Sequence, residues 1–206
     1  MERNGPVSLP ATEMLLADKP EHRIVREAGD RIPEDNPWGF RMDVPALKYN
    51  RGELYNLAIA RGTLTEEERY VINHHIVQTI VMLSQLPFPR HLAHVPDIAG
   101  GHHEKMDGTG YPRRLTRDQM PAVARMMAIA DIFEALTAAD RPYKKGKTLS
   151  EAVKIMSFMK RDQHVDPELF ELFLTSGVYL EYAKRFMAPA QIDTVDVASY
   201  VSATAG

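Results

Sequence analysis

The densest group of chemically useful side chains is the run His102-His103-Glu104-Lys105-Met106-Asp107-Gly108-Thr109-Gly110-Tyr111-Pro112. Successive residues of a regular helix are about 100° apart, so adjacent histidines cannot share one helix face. At a helix end they can point at two different metals, or at one metal and its bound water. Neutral imidazole is the commonest side-chain ligand of transition metals. Gly108 and Gly110 would let backbone approach a ligand closely, and Tyr111-Pro112 would stiffen the exit. Such a pair is also compatible with ordinary surface or half-buried polar structure.

Asp131 is the second such residue. It sits inside the apolar run Met126-Met127-Ala128-Ile129-Ala130-Asp131-Ile132-Phe133. A carboxylate in that setting must be protonated, paired or bound to a cation. The ion-pair alternatives are Arg125 and Lys105. His74-His75 interrupts a third, apolar-periodic stretch, where either histidine could equally be a satisfied core or boundary residue. The segment from Asp140 to Lys147 contains Arg141, Lys144, Lys145 and Lys147. It is either a solvated loop or a phosphate site, since arginine binds phosphate in a bidentate way and lysine adds point charge. Taken together, these groups describe a helical metal-dependent phosphohydrolase, in which a divalent ion activates water and clamps a phosphoryl oxygen.

The elements that must position them read as helices. Thr65-Glu66-Glu67-Glu68 and Thr148-Leu149-Ser150-Glu151 are capping boxes, and Asp166-Pro167 places a cap before an N1 proline. The expected helices cover about 53–60, 66–86, 92–104, 122–138, 149–160, 167–174 and 179–186, with a short one near 11–17. The helix at 122–138 is apolar nearly all round, the pattern of a buried central helix. No segment alternates convincingly with period two. The expected fold is all-α, a helical bundle over residues 51–188. Residues 1–50, which hold six of the 14 prolines, form an irregular arm, and residues 189–206 a tail.

Composition narrows the function classes. The 206 residues are 44% hydrophobic, enough for a sizeable core. With no cysteine, metal ligands must be His, Asp or Glu, and a disulfide framework is excluded. A net charge of −3 argues against a broad nucleic-acid surface. No apolar run approaches the roughly 20 residues of a membrane span. Residues 1–10 lack a signal-peptide pattern, so the expected location is cytoplasmic.

The stretch from His102 to Pro112, H-H-E-x-x-D-G-x-G-Y-P, resembles the signature of the HD-GYP domains. These are bacterial phosphodiesterases that hydrolyse cyclic di-GMP or, in some members, hybrid cyclic GMP-AMP. The resemblance covers about 62–174. Gly62-Thr63-Leu64-Thr65 with Glu67-Glu68 is similar to the family's upstream edge. Ala130-Asp131, Arg141-Pro142-Tyr143 and Asp166-Pro167 are similar to its downstream markers. It implies that His75 (or His74, if the register slips), His102, His103 and Asp131 bind divalent ions such as Fe or Mn. It implies that Gly108, Gly110, Tyr111 and Pro112 line the substrate pocket and serve as a partner surface, for example for a diguanylate cyclase domain. Arg141 and Lys144 would hold substrate phosphate.

The family's His-Asp dyad has no counterpart, because nowhere in this sequence does aspartate follow histidine. Met42-Asp43 is the nearest imitation, and Glu21 and His22 are adjacent candidates for upstream ligands. The catalytic dyad is therefore unassigned. Two expectations follow: a C-terminal portion of a longer enzyme, or a degenerate domain that binds without hydrolysing.

Overall fold

The computed structural model describes residues 14, 16–60, 62–139 and 146–201. The chain divides into two compact units, one of residues 1–32 and 43–72, the other of residues 33–42 and 73–206.

In the first unit, β1 (Arg23–Val25) pairs antiparallel with β2 (Leu47–Asn50), with an irregularity in register between Ile24 and Val25. Arg26 ties the segment together. Its guanidinium donates to the carbonyls of Pro45, Asp30 and Leu47 and lies 4.5 Å from the Tyr70 ring centre. The described part of the expected irregular arm is thus organised by a small sheet and one buried arginine. Strands of three and four residues are too short to show a period-two pattern. Asp18 accepts from the backbone of Leu54 and Tyr55 and so caps α1 (Glu53–Leu57). The Thr65 capping box forms as expected and opens α2 (Glu66–Asn73). Of the short helix expected near 11–17, residues 14, 16 and 17 are described and are not helical, and the rest lie outside the described residues.

The second unit carries the helical bundle. The helix expected over 66–86 is divided at His74, beyond which runs α3 (His75–Ser84). The α3 residues Ile76, Val77 and Ile80 are buried. α4 (Val95–Gly100) packs on α3 and stops earlier than expected, so His102 and His103 fall in the turn beyond it. That packing depends on Gly100, where an added Cβ would lie 2.5 Å from the Ile80 side chain.

α5 (Ala122–Thr137) packs against α4, α6 (Leu149–Arg161) and α7 (Pro167–Thr175). Its Ile129 and Phe133 join a core with Val153, Met156, Phe170 and Leu174. It is not buried all round, as its composition suggested. Val123, Met126 and Met127 are exposed, and so is Asp131. Hydrophobic composition alone reports no helix face when every face is apolar. α8 (Val178–Phe186) follows α7 after Gly177, which takes φ +76°. The described residues beyond 188, 189–201, are in contact with the bundle. Ile192, Val195, Val197 and Tyr200 pack on the core, and Gln191 donates to the carbonyls of Thr137 and Lys147.

Among the described residues no helix is long and apolar enough to cross a membrane.

Candidate metal centre

Three histidines meet in the second unit. His75 begins α3, and His102 and His103 leave the end of α4. One ring nitrogen of each lies within 4.8 Å of the others. His75 Nε2 and His103 Nε2 are 3.3 Å apart. His102 Nδ1 lies 2.6 Å from the Ala99 carbonyl. A carbonyl only accepts, so Nδ1 carries the proton and Nε2 keeps its lone pair, the tautomer a metal ligand needs. Burial first, then the neighbouring His102 and His75, push the His103 imidazole down to about 4 from the usual 6.5. It is therefore neutral at pH 7, as ligation requires. Of the two register alternatives, His75 and not His74 joins His102 and His103. His74 instead sets Nδ1 3.5 Å from the Gln78 amide on the next turn.

Asp131 is not part of this convergence. Its carboxylate is exposed and falls outside the group of ligand atoms within 4.8 Å. It is near enough to act by charge, favouring the protonated forms of His103 and Tyr111. The expected ion pair with Arg125 does not explain it, because Arg125 is engaged by Asp166.

The glycine-rich loop is built around Glu104. This side chain is 1% exposed. Its carboxylate accepts the backbone N–H of Arg113 at 2.7 Å and of Leu115 at 2.9 Å. Burial raises its pKa, against those backbone donors. Gly110 lies directly over Glu104, where an added Cβ would come within 2.4 Å of backbone atoms of Glu104 and Lys105. Gly110 and Pro112 are buried, and the Tyr111–Pro112 peptide is cis. Tyr111 lies on His103, with ring centres 4.9 Å apart and planes 17° apart. Asp107 closes the near end of the loop by accepting from Thr109 N and Oγ1, and Gly108 there takes φ +78°.

Sequence reasoning missed Glu104, which it treated as one letter of the motif. It also missed the second role of Asp166. One oxygen of Asp166 caps α7 as expected, while the other accepts from Arg117 and Arg125. A single sequence gives no distance signal for either. Arg141 and Lys144 lie outside the described residues.

The model of the HD domain matches residues 10–169 of this chain. A cyclic di-GMP phosphodiesterase of Pseudomonas aeruginosa is 39% identical over 119 residues, 57% of this chain and 28% of its own length. A 3'3'-cGAMP-specific phosphodiesterase of Vibrio cholerae is 39% identical over 111 residues, 53% of this chain and 23% of its own. A cyclic di-GMP phosphodiesterase response regulator of Xanthomonas campestris is 37% identical over 122 residues, 58% of this chain and 31% of its own. The chain thus spans less than a third of the length of these relatives.

Proposed function

The chain belongs to the HD domain family, in its HD-GYP group, and on that premise we propose that it supplies metal ligands and the substrate-facing loop of a phosphodiesterase. The substrate is a cyclic dinucleotide, either cyclic di-GMP or hybrid cyclic GMP-AMP, and the reaction takes place in the cytoplasm. The observation that carries this reading is the meeting of His75, His102 and His103 beneath Tyr111.

The donor set suits a divalent ion. Three imidazoles offer ring nitrogens within reach of one another, one held in the ligating tautomer and one neutral at pH 7. Imidazole ligands suit Fe and other borderline ions such as Zn or Ni, while Mn would need carboxylate or water ligands beside them. His75, His102 and His103 would hold the ion, and Asp131, which lies outside that group, would have to swing in from α5 to add an anionic ligand. When bound, such an ion polarises a phosphodiester oxygen.

The chain's own groups do the rest. The Ala99 carbonyl fixes the His102 ring, and burial keeps His103 unprotonated. Tyr111 covers one face of His103 and shields it from water. Arg141 and Lys144 are assigned to the substrate phosphates by the family resemblance.

The test is metal content of the purified chain by elemental analysis, with hydrolysis of cyclic di-GMP and of the hybrid dinucleotide on the same samples. At least one divalent ion per chain is expected, with its loss in His103→Ala. A metal-free wild-type chain, prepared with Fe or Mn supplied, overturns the reading.

A second reading is favoured by the lack of any His-Asp step in the 206 residues. Under it the chain binds a cyclic dinucleotide, or a partner such as a diguanylate cyclase domain, through Gly108 to Pro112 without hydrolysis. Metal bound without turnover would favour this alternative.

A further inference from the structure

The connection from α5 to α6 is tied at its base by one side chain. Gln191 Nε2 donates to the carbonyls of Thr137, the last residue of α5, and of Lys147, each at 2.9 Å. A glutamine amide carries two N–H donors, so both are used. Beside them Lys147 N donates to the Leu136 carbonyl at 2.9 Å. Gly146 completes the fit. An added Cβ there would lie 2.5 Å from Gln191 Nε2 and 2.5 Å from the Thr137 carbonyl oxygen. The amide reaches both carbonyls because this position has no side chain.

The segment that supplies Gln191 is itself fixed. Gln191 Oε1 accepts from Ala188 N at 3.3 Å. Ile192 packs on the core. Asp193 accepts from Ser150 N at 2.7 Å and from Ser150 Oγ at 2.6 Å, in the first turn of α6.

Neither helix needs the tie for its end. α6 starts from the Thr148 capping box, and α5 finishes with Ala138 N donating to the Glu134 carbonyl at 2.8 Å. Satisfying the last carbonyl of a helix is the ordinary role of such an amide. It does not account for the second donor, which reaches across the connection to Lys147.

The tie joins the two ends of a cationic stretch. Between Thr137 and Lys147 the sequence carries Arg141, Lys144 and Lys145 against a single Asp140. Like charges so near in sequence repel one another. Joining the ends of a loop also removes conformational freedom that a ligand would otherwise have to restrain on binding.

We propose that Gln191 is a positioning residue for the phosphates of the dinucleotide: it fixes the base of the connection that carries Arg141 and Lys144, and so sets affinity without touching the ligand. The inference rests on the proposed function, and it gives the segment after α8 a part in substrate binding.

The test is calorimetric titration of the whole chain with cyclic di-GMP and with the hybrid dinucleotide, with metal content measured on the same samples. Gln191→Glu keeps the length of the side chain and the acceptor for Ala188 N. It replaces the donor pair by a carboxylate oxygen facing two carbonyls. Gly146→Ala drives the same contact apart from the opposite side. Each should weaken binding by about tenfold, the order expected for a lost pair of hydrogen bonds, and leave metal content unchanged. The effects of Gln191→Glu and Arg141→Ala should be less than additive in the double variant, because a residue that acts through a cation loses its influence when the cation is gone. Tyr200→Ala loosens the same segment away from the tie and should bind as the wild type does.

A wild-type chain that binds neither dinucleotide overturns the proposed function, and this inference with it. A wild-type chain that binds, with Gln191→Glu and Gly146→Ala binding as tightly, overturns this inference alone. Full additivity with Arg141→Ala, or an equal loss in Tyr200→Ala, also overturns it, since either makes Gln191 a support of the fold rather than of the cations.

Discussion

His103 is the residue on which the metal centre turns. It touches His102, His75 and Tyr111 at once, with ring centres 4.1, 5.1 and 4.9 Å away. Its protonation in the folded chain is suppressed to about 4 against an ordinary 6.5. The unfolded chain therefore binds more protons at this position throughout that interval. Stability from this residue is complete above about 6.5 and is lost as pH falls towards 4. Glu104 works in the opposite sense, since its carboxyl is raised by burial. The two are separated by comparing urea midpoints of the metal-free chain and His103→Gln from pH 7 to pH 4. The wild type should lose more stability on acidification than the variant. Parallel curves would show that burial of His103 carries no linkage. At this scale the sequence marked His102, His103 and the loop because rare side chains stood side by side. It could not reveal that Asp131 is exposed, or that Glu104 carries the loop, because both facts depend on what packs nearby.

Among the elements, the loop after α4 owes its shape to a single carboxylate and one glycine. Glu104 is the buried acceptor for a turn of backbone that no sheet or helix satisfies. Removing it in Glu104→Ala strands those N–H groups, at about 1–3 kcal/mol for each donor left unpaired. Glu104→Gln keeps one carbonyl acceptor and should fall between the variant and the wild type. Gly110→Ala should be more disruptive than its size suggests. Its Cβ meets backbone rather than a movable side chain, 2.4 Å from Glu104 Cα. Chemical denaturation gives the cost, and metal affinity by calorimetry gives the functional effect. If Tyr111 positions His103 through this loop, Glu104→Ala weakens metal binding at a temperature where the chain is still folded. The helices were readable because their caps are local, as at Thr65, Thr148 and Asp166, where side chain and backbone lie within three residues. The strands Arg23–Val25 and Leu47–Asn50 were not, since pairing across more than 20 residues leaves no short-range mark.

For the whole molecule, contacts between distant segments group residues 1–32 with 43–72 and residues 33–42 with 73–206. Beyond 188, the described residues that pack on the core are isolated ones such as Ile192 and Tyr200, too sparse to form a periodic pattern. One long-range tie in the second unit is Asp166. This fully buried carboxylate gathers Arg117, Arg125 of α5 and the start of α7. Burial alone would raise its pKa, but the Arg117 bond, the Leu169 N–H and Arg125 outweigh it and hold it below the usual 3.8. Its stabilising contribution is therefore present above 3.8 and lost as pH falls below that value. Stability should fall on acidification in two windows, the first from His103 and the second, lower one from Asp166. Asp166→Ala leaves a half-buried Arg125 without its carboxylate and α7 without its cap. The loss of a buried partner costs about 3–5 kcal/mol. Asp166→Asn keeps a cap oxygen but not the charge, so it should recover about 1 kcal/mol of that, the worth of a cap. Urea denaturation at pH 7 measures both variants. If Asp166→Asn proves as stable as the wild type, the arginines contribute nothing and the cap alone holds α7 in place. If the two variants are equally destabilised, the charge network is the tie that joins α5 to α7.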